Sequence, residues 1–425
     1  MLRLAYYADD FTGATDVLES LAKAGLRTRL FLEPPTAAQC AGLDAIGVAG
    51  LTRSLAPDAM EAVLRPAFAA LKALGPRHVH YKVCSTFDSS PMVGSIGRAI
   101  EVGIAVFGPR PVPLLVAAPA LGRYCVFGNL YARYGIGSKG AIHRLDRHPS
   151  VSKHPVTPMT EADLRVHLGK QTSRKIGLVS VTDLELPSDD CTVGAQLYDP
   201  EAIVLIDGVN ETHLLRAGGL IEGLAGRGPL FSVGSSGLEA ALIAHWRECA
   251  QLLDESWPPS KPSFSPPPPS SIFVLSGSCS PVTAGQIDWA LGQGFAGVAL
   301  DPSGGNATSI ASALRSGKSV IAYTSRGQTN GTQPADKLGA MLGRLARDVV
   351  AQAGVKRVIV AGGDTSSYAA RAMGIESLEM LAPLSPGAPL CRAHAPGSPV
   401  DGLEMNFKGG QVGSPEYFGL AAGNK

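Results

Sequence analysis

The sequence predicts an α/β protein of two domains, each a mostly parallel sheet flanked by helices. Three observations carry that reading. Short apolar and β-branched runs alternate with helical stretches along the chain, and a proline-dense segment interrupts the alternation once. The loops after the runs collect glycine, serine and charged residues. Such alternation marks parallel strands covered by crossover helices, whose ligands bind at the carboxyl ends of the strands.

In the first part of the chain the strand-like runs are 4–8, 27–32, 45–49, 79–83, 114–118, 176–181, 203–206 and 230–233. Helical patterns cover 14–24, 57–74 and 239–249, and the Gly-, Arg-, Tyr- and His-rich stretch 122–157 reads as a long excursion or lid. Prolines lack amide donors and favour polyproline II, so 256–271 is expected to be a semi-rigid linker between a domain 1–255 and a domain 272–425. The second domain repeats the pattern with runs at 272–275, 297–300, 319–323 and 357–361 and a helix over 335–353.

Bulk properties exclude several classes. Apolar residues make up 45% of the 425 positions and charged residues 17%, which suits a folded enzyme rather than a disordered chain. Lys plus Arg (37) nearly cancels Asp plus Glu (36), so no bulk field recruits nucleic acid or an anionic membrane. The cysteines Cys40, Cys84, Cys125, Cys191, Cys249, Cys279 and Cys391 are scattered and form no C-x-x-C pair, which favours free thiols in a reducing compartment. Met1-Leu2-Arg3-Leu4 leads directly into a strand, and no apolar run reaches the roughly 20 residues of a membrane span. A cytoplasmic protein is expected, acting on small molecules and without nucleic-acid or membrane partners; the number of assembled chains, a homo-oligomer included, stays open.

The strand-end loops carry the candidate chemistry. After the first run comes Asp9-Asp10-Phe11-Thr12-Gly13, where one acid caps the next helix or a carboxylate serves a substrate hydroxyl. Gly50-Leu51-Thr52-Arg53 offers a fork for a planar carboxylate, and Lys82-Val83-Cys84-Ser85-Thr86 adds a cation and hydroxyls. Together these describe a pocket for a small polyhydroxylated acid. The turn Val233-Gly234-Ser235-Ser236-Gly237 suits either anion binding or tight packing.

Three further turns lie in the second domain. Ser276-Gly277-Ser278-Cys279-Ser280-Pro281 places Ser280 at an N-cap and Pro281 at the first helical position. Gly362-Gly363-Asp364-Thr365-Ser366 and Lys408-Gly409-Gly410 bring further small residues and a lysine. Three such turns in one short domain point to a bound nucleotide. Gly135-Ile136-Gly137-Ser138-Lys139-Gly140 matches a dinucleotide fingerprint by spacing alone, without its strand and helix, and no Walker-type loop occurs.

With these residues in view, the sequence resembles the four-carbon acid sugar kinases over nearly its whole length. The resemblance rests on Ala8-Asp9-Asp10-Phe11-Thr12-Gly13-Ala14-Thr15-Asp16, the Arg53 and Lys82 loops, Gly277-Ser278-Cys279-Ser280, Gly362-Gly363-Asp364-Thr365-Ser366, Pro386-Gly387-Ala388-Pro389-Leu390 and Lys408-Gly409-Gly410. It implies a sugar-acid-binding domain followed by a nucleotide-binding domain, and transfer of the ATP γ-phosphate, with Mg²⁺, to the terminal hydroxyl of threonate, erythronate or a 3-oxo-tetronate. It implies acid contacts at Asp9, Asp10, Arg53, Lys82, Cys84 and Ser85, with Asp10 orienting or deprotonating the hydroxyl. ATP contacts are implied at Ser278, Ser280, Gly362, Gly363, Asp364, Thr365 and Gly409, and no metal ligand is assigned. The chain departs from the family pattern at Leu51-Thr52-Arg53 and after Lys82, where Phe87-Asp88-Ser89-Ser90 stands in place of Leu-Arg-Gly-Asn. These departures leave open a kinase for another small hydroxy acid, or a non-catalytic sensor of acid and nucleotide.

Overall fold

The computed structural model describes residues 2–135, 139–154, 156–186, 199–200, 202–226, 228–252, 271–300, 307–324 and 334–423, with backbone alone at 251, 252 and 364. The proline segment 257–270, Cys191 and part of the glycine run 135–140 lie outside the described residues.

The apolar runs form the strands that periodicity calls for. They begin with β1 (Leu4–Ala8), β2 (Thr28–Phe31), β3 (Ala45–Ala49), β4 (His78–Lys82) and β5 (Val112–Leu115). Next come β9 (Ile176–Val179), β10 (Ile203–Ile206) and β11 (Leu230–Gly234), preceded by β6 (Arg123–Val126), β7 (Asn129–Arg133) and β8 (Ile142–Arg144), which periodicity did not call for. The rest of the chain adds β12 (Ile272–Ser276), β13 (Ala296–Ala299), β14 (Val320–Tyr323) and β15 (Arg357–Ala361). Three strands not foreseen, β16 (Ser377–Ser385), β17 (Ala388–His394) and β18 (Glu404–Lys408), complete the set.

Two compact units result, and they do not follow the chain order. The first holds Met1–Asp9, Lys23–Arg27 and Pro34–Lys261; the second holds Asp10–Ala22, Thr28–Glu33 and Pro262–Lys425. In the first unit the strand order β3-β1-β4-β11-β5-β10-β9 is parallel throughout. Its central strands are buried end to end, as parallel strands covered on both faces must be. Phe68, from the helix Pro57–Ala73, packs against Tyr7, Tyr81, Phe107 and Phe231 at centroid distances of 5.3–6.0 Å. The stretch 122–157, read from sequence as an irregular excursion, contains the antiparallel sheet β6-β7-β8.

In the second unit β13-β14-β12-β15-β18 run parallel, and β17, β16 and β2 extend the order antiparallel. Its core gathers Ile272, Val274, Ile287, Phe295, Ile321, Ile359 and Phe418. The helix Phe11–Lys23, from the start of the sequence, belongs almost wholly to this unit. Phe11 meets Phe407 at 4.9 Å, Thr15 Oγ1 donates to the Gly387 carbonyl at 2.8 Å, and Gly387 N–H donates to Glu19 Oε2 at 2.7 Å.

Two boundaries moved for local reasons. The helix expected from Ala14 starts at Phe11, because Asp10 caps it. The strand expected over 176–181 stops at Val179, because Ser180 and Asp183 form a capping box that opens a helix at Val181.

Glu19 is 4% exposed, and its removal strands the Gly387 amide. The substitution Glu19→Ala is therefore expected to lower unfolding stability by about 1–3 kcal/mol, measured by urea denaturation.

Candidate active site

Parallel strands of equal register bring their loops to one edge of each sheet. In the first unit Ala8 pairs with Ala49 and Lys82, and Lys82 pairs with Gly234, so the segments after β3, β1, β4 and β11 emerge side by side. Backbone bonds continue the alignment past the strands: Asp9 N–H to Lys82 O (2.9 Å), Arg53 N–H to Asp9 O (3.1 Å) and Val83 N–H to Gly234 O (2.8 Å). Gly94 (φ 59) lies against the Arg53 backbone, where a Cβ would come within 2.4 Å of the carbonyl oxygen.

Asp9 is almost fully buried, and Arg53 compensates its charge with a fork: Nε to Oδ2 at 3.1 Å and Nη2 to Oδ1 at 2.7 Å. The guanidinium expected from sequence to grip a substrate carboxylate thus already holds one from its own chain. Its neighbour Thr52 bonds Tyr81 Oη at 2.9 Å, and burial, then Asp9, push the Tyr81 phenol well above its usual range. Lys82 is buried and donates to the Val83 carbonyl at 3.0 Å.

After Lys82 the loop is held by side chains. Cys84 Sγ lies 2.9 Å from Thr86 Oγ1, which donates to Asp88 Oδ2 at 2.9 Å. Burial first, then Asp88, raise the Cys84 thiol to about 11, so it stays protonated and serves as a polar contact, not as a thiolate nucleophile. Ser85 is half-buried in the same loop. Phe87 adopts a left-handed backbone (φ 57), uncommon for a residue with a bulky side chain. It is fixed by Ser89 Oγ, which donates to the Phe87 carbonyl at 3.0 Å and meets His167 Nε2 at 3.0 Å. His167 stays neutral, its pKa lowered to about 4 mainly by burial.

The Gly234–Gly237 turn resolves toward packing. Ser235 Oγ donates to the Val116 carbonyl at 2.8 Å, and a Cβ on Gly237 would lie 1.7 Å from the Ala117 oxygen. Beneath it, His80 joins Glu239 and the Gly234 carbonyl, all buried. A shallow concavity lined by Leu2, Arg27, Cys40 and Asp44 lies at the amino ends of β1 and β3 and holds none of these loops.

In the second unit Ser276, Ala361 and Lys408 stand in register at the ends of β12, β15 and β18. Gly277 N–H donates to Ala361 O and Gly362 N–H to Lys408 O, both at 3.0 Å, which carries the three turns forward together. Ser280 caps the helix Pro281–Gly292 by accepting from Val282 N–H, as its sequence position predicts. A Cβ on Gly277 would fall 2.7 Å from Thr365 Cγ2, and one on Gly410 2.8 Å from Ser278 Oγ. Gly362 (φ 143) faces the Ser278 amide and Thr365, and the Cβ position of Gly409 lies 3.5 Å from Thr12. Ser278, Ser280, Gly362, Thr365 and Gly409 are therefore drawn together, with Gly363 opening the helix Gly363–Ala372; the Asp364 side chain lies outside the described residues. Small residues around amides at two helix starts form the kind of cradle a phosphate chain requires.

Sequence reasoning did not anticipate that Asp10 belongs to the unit that holds these turns. Asp10 opens the second unit, and its Oδ1 accepts Gly13 N–H at 2.6 Å. Lys408 was legible as a nearby lysine, but not as a buried one. Its Nζ donates to Thr283 Oγ1 at 3.0 Å and lies 5.5 Å from the Tyr417 ring, and burial lowers its pKa to about 8.

The loops define a two-part α/β protein with a phosphate cradle in one unit and a charged, hydroxyl-rich edge in the other. Comparison with known proteins gives this class its chemistry. Residues 4–242 match the sugar-binding N-terminal domain family, and residues 273–418 match the nucleotide-binding C-terminal domain family. A 3-oxo-isoapionate kinase of Paraburkholderia graminis is 41% identical over 99% of this chain and 94% of its own length. A 3-oxo-tetronate kinase of Pseudomonas fluorescens is 29% identical over 99% and 96%, respectively. Among solved structures, a Salmonella typhimurium LT2 protein described as a tRNA synthase superposes with a TM-score of 0.77 at 26% identity, covering 99% of this chain and 98% of its own. The chain belongs to this family of sugar-acid kinases. Among the described residues no helix is long and apolar enough to cross a membrane.

Lys408 also sets a pH signature. Between pH 8 and its ordinary 10.5 the unfolded chain keeps a proton that the folded one has lost, so this group makes stability rise with pH. Thiols titrate nearby, so the comparison is made with Lys408→Met: wild type should gain stability relative to the variant between pH 8 and 10, read by urea denaturation at each pH.

Proposed function

We propose that the protein transfers the γ-phosphate of ATP to the terminal hydroxyl of a 3-oxo sugar acid, and that an acid of the 3-oxo-isoapionate type is used in preference to a 3-oxo-tetronate. The observation that carries the choice of acid is the gap in identity: 41% to the 3-oxo-isoapionate kinase against 29% to the 3-oxo-tetronate kinase, at equal coverage of this chain. The loop from Cys84 to Ser90 supports it, because the departures from the family pattern fall in the acid-binding part and leave the glycine turns intact.

The glycine cradle suits a triphosphate: Gly277, Gly362, Gly409 and Gly410 keep side chains out of the space between turns. Among the described residues no group of three or more His, Cys, Asp and Glu could hold a metal by itself. Mg²⁺ in such a site would be held mostly by phosphate oxygens and water, with Asp364 the nearest candidate by sequence. ATP with Mg²⁺ supplies the phosphoryl group and offsets its charge. On the protein side, Lys82, Cys84 and Ser85 meet the acid's oxygens, the Asp9–Arg53 pair fixes the loops, and Asp10 orients or deprotonates the attacking hydroxyl.

A coupled ADP-release assay over four- and five-carbon hydroxy and 3-oxo acids tests the reading. Turnover is expected with a 3-oxo acid and highest for the isoapionate type. Tight binding of an acid with no ADP released across the panel would point instead to a sensor.

Asp10→Asn separates chemistry from capping, because asparagine caps a helix as well as aspartate does. The variant should keep its thermal midpoint and its ATP affinity and lose roughly 10²-fold or more in kcat. Near-normal turnover would remove Asp10 from the proton-handling role.

A further inference from the structure

Arg123 is a buried cation that forms no ion pair among the described residues. It opens β6, is 6% exposed, and among the described residues makes all its hydrogen bonds through Nη1. These go to the carbonyls of Leu121 (3.1 Å), Gly122 (3.4 Å) and Arg133 (3.1 Å), while Nε is buried without an acceptor. Carbonyls orient a guanidinium but do not neutralise it, and a buried charge without a counter-charge is expensive. Such a cost is tolerated where the anion arrives with a ligand.

The position fits that role. Backbone bonds between Ala118 and Arg123, at 3.0 and 3.1 Å, fasten β6 just beyond the carboxyl end of β5. This is the edge from which the Lys82–Asp88 loop emerges, with β11 between β4 and β5. Burial lowers the Arg123 pKa, and the groups that oppose this effect, in order, are Cys84, Asp88 and Tyr124, so the guanidinium lies close to the acid-binding loop; of these only Asp88 is a carboxylate, and among the described residues it makes no hydrogen bond to Arg123. His148 lies near it as well, yet burial and then the charge of Arg123 keep that imidazole neutral, and its Nδ1 is occupied by Ser150 and Val151. No neighbour among the described residues takes the part that Asp9 plays for Arg53.

We propose that Arg123 is a specificity-determining residue whose guanidinium receives the carboxylate of the sugar acid, the role that its sequence position suggested for Arg53. The inference rests on the sugar-acid kinase reading and names the group that selects an acid over a neutral polyol. Arg53 keeps the loops in place through Asp9, and Arg123 reads the ligand's charge.

The test compares the best acid of the panel with its uncharged primary amide, in wild type and in Arg123→Met. In wild type, kcat/KM should favour the acid strongly. In the variant it should fall roughly 10²-fold or more for the acid and little for the amide, so the preference collapses while the KM for ATP is unchanged. A merely structural role would lower both substrates together. An active, folded variant that keeps the preference overturns the assignment to Arg123 alone. Wild type that phosphorylates no acid overturns the kinase reading and this inference with it. Should Arg123→Met fail to fold, co-crystals of wild type with the acid decide: a carboxylate oxygen on the Arg123 guanidinium supports the proposal, and a carboxylate bound elsewhere overturns it.

Discussion

The Asp9–Arg53 ion pair organises the edge of the first unit. A carboxylate buried at the end of a central strand must be matched, and the matching fork comes from the neighbouring strand's loop through two hydrogen bonds. With that demand met, the 52–54 turn bonds the Asp9 carbonyl through Arg53 N–H, and Gly94 lies against the Arg53 carbonyl. The pair also commits an arginine that would otherwise be available to an anionic ligand. The role proposed for Arg123 starts from that commitment, since Arg123 is a buried cation with no ion pair among the described residues.

The second unit follows a different logic, governed by closeness rather than charge. Three strand ends in register would collide if their turns carried side chains, and glycine or serine at each contact lets the backbones approach. What remains are amides, a few hydroxyls and one buried lysine. That combination accommodates a polyanion without reading fine detail, which suits a nucleotide shared by many enzymes. Discrimination is left to the acid side, where this chain differs from the family pattern.

Much of this was legible in the sequence, because parallel strands buried on both faces announce themselves as continuous apolar runs. The loops after β1, β3, β4, β12, β15 and β18 and the Ser280 cap all stood where residue type and spacing put them. The antiparallel strands β16 and β17 were hidden by their prolines: Pro383 lies within the register shift between Ala382 and Ser385, which absorbs its missing donor, and Pro389 follows a tight turn at Gly387. The sheet β6-β7-β8 was hidden by its short, half-polar strands. Arg53 could be read as a cation at a strand end, but not as already engaged, since its partner is 44 residues away. Arg123 carried no local signal at all; only burial without an ion pair among the described residues distinguishes it from any other arginine.

The placement of the helix Phe11–Lys23 has a consequence for how the chain is made. Thr15 must wait for Gly387, 372 residues further on, before its hydroxyl finds its partner. At ribosomal rates of ~5–20 residues per second that interval is roughly 20–75 s. During it an amphipathic helix has left the ribosome without the surface it is meant to cover. The helix face that meets Gly387 therefore stays uncovered through most of synthesis, and an excised C-terminal half would lack it.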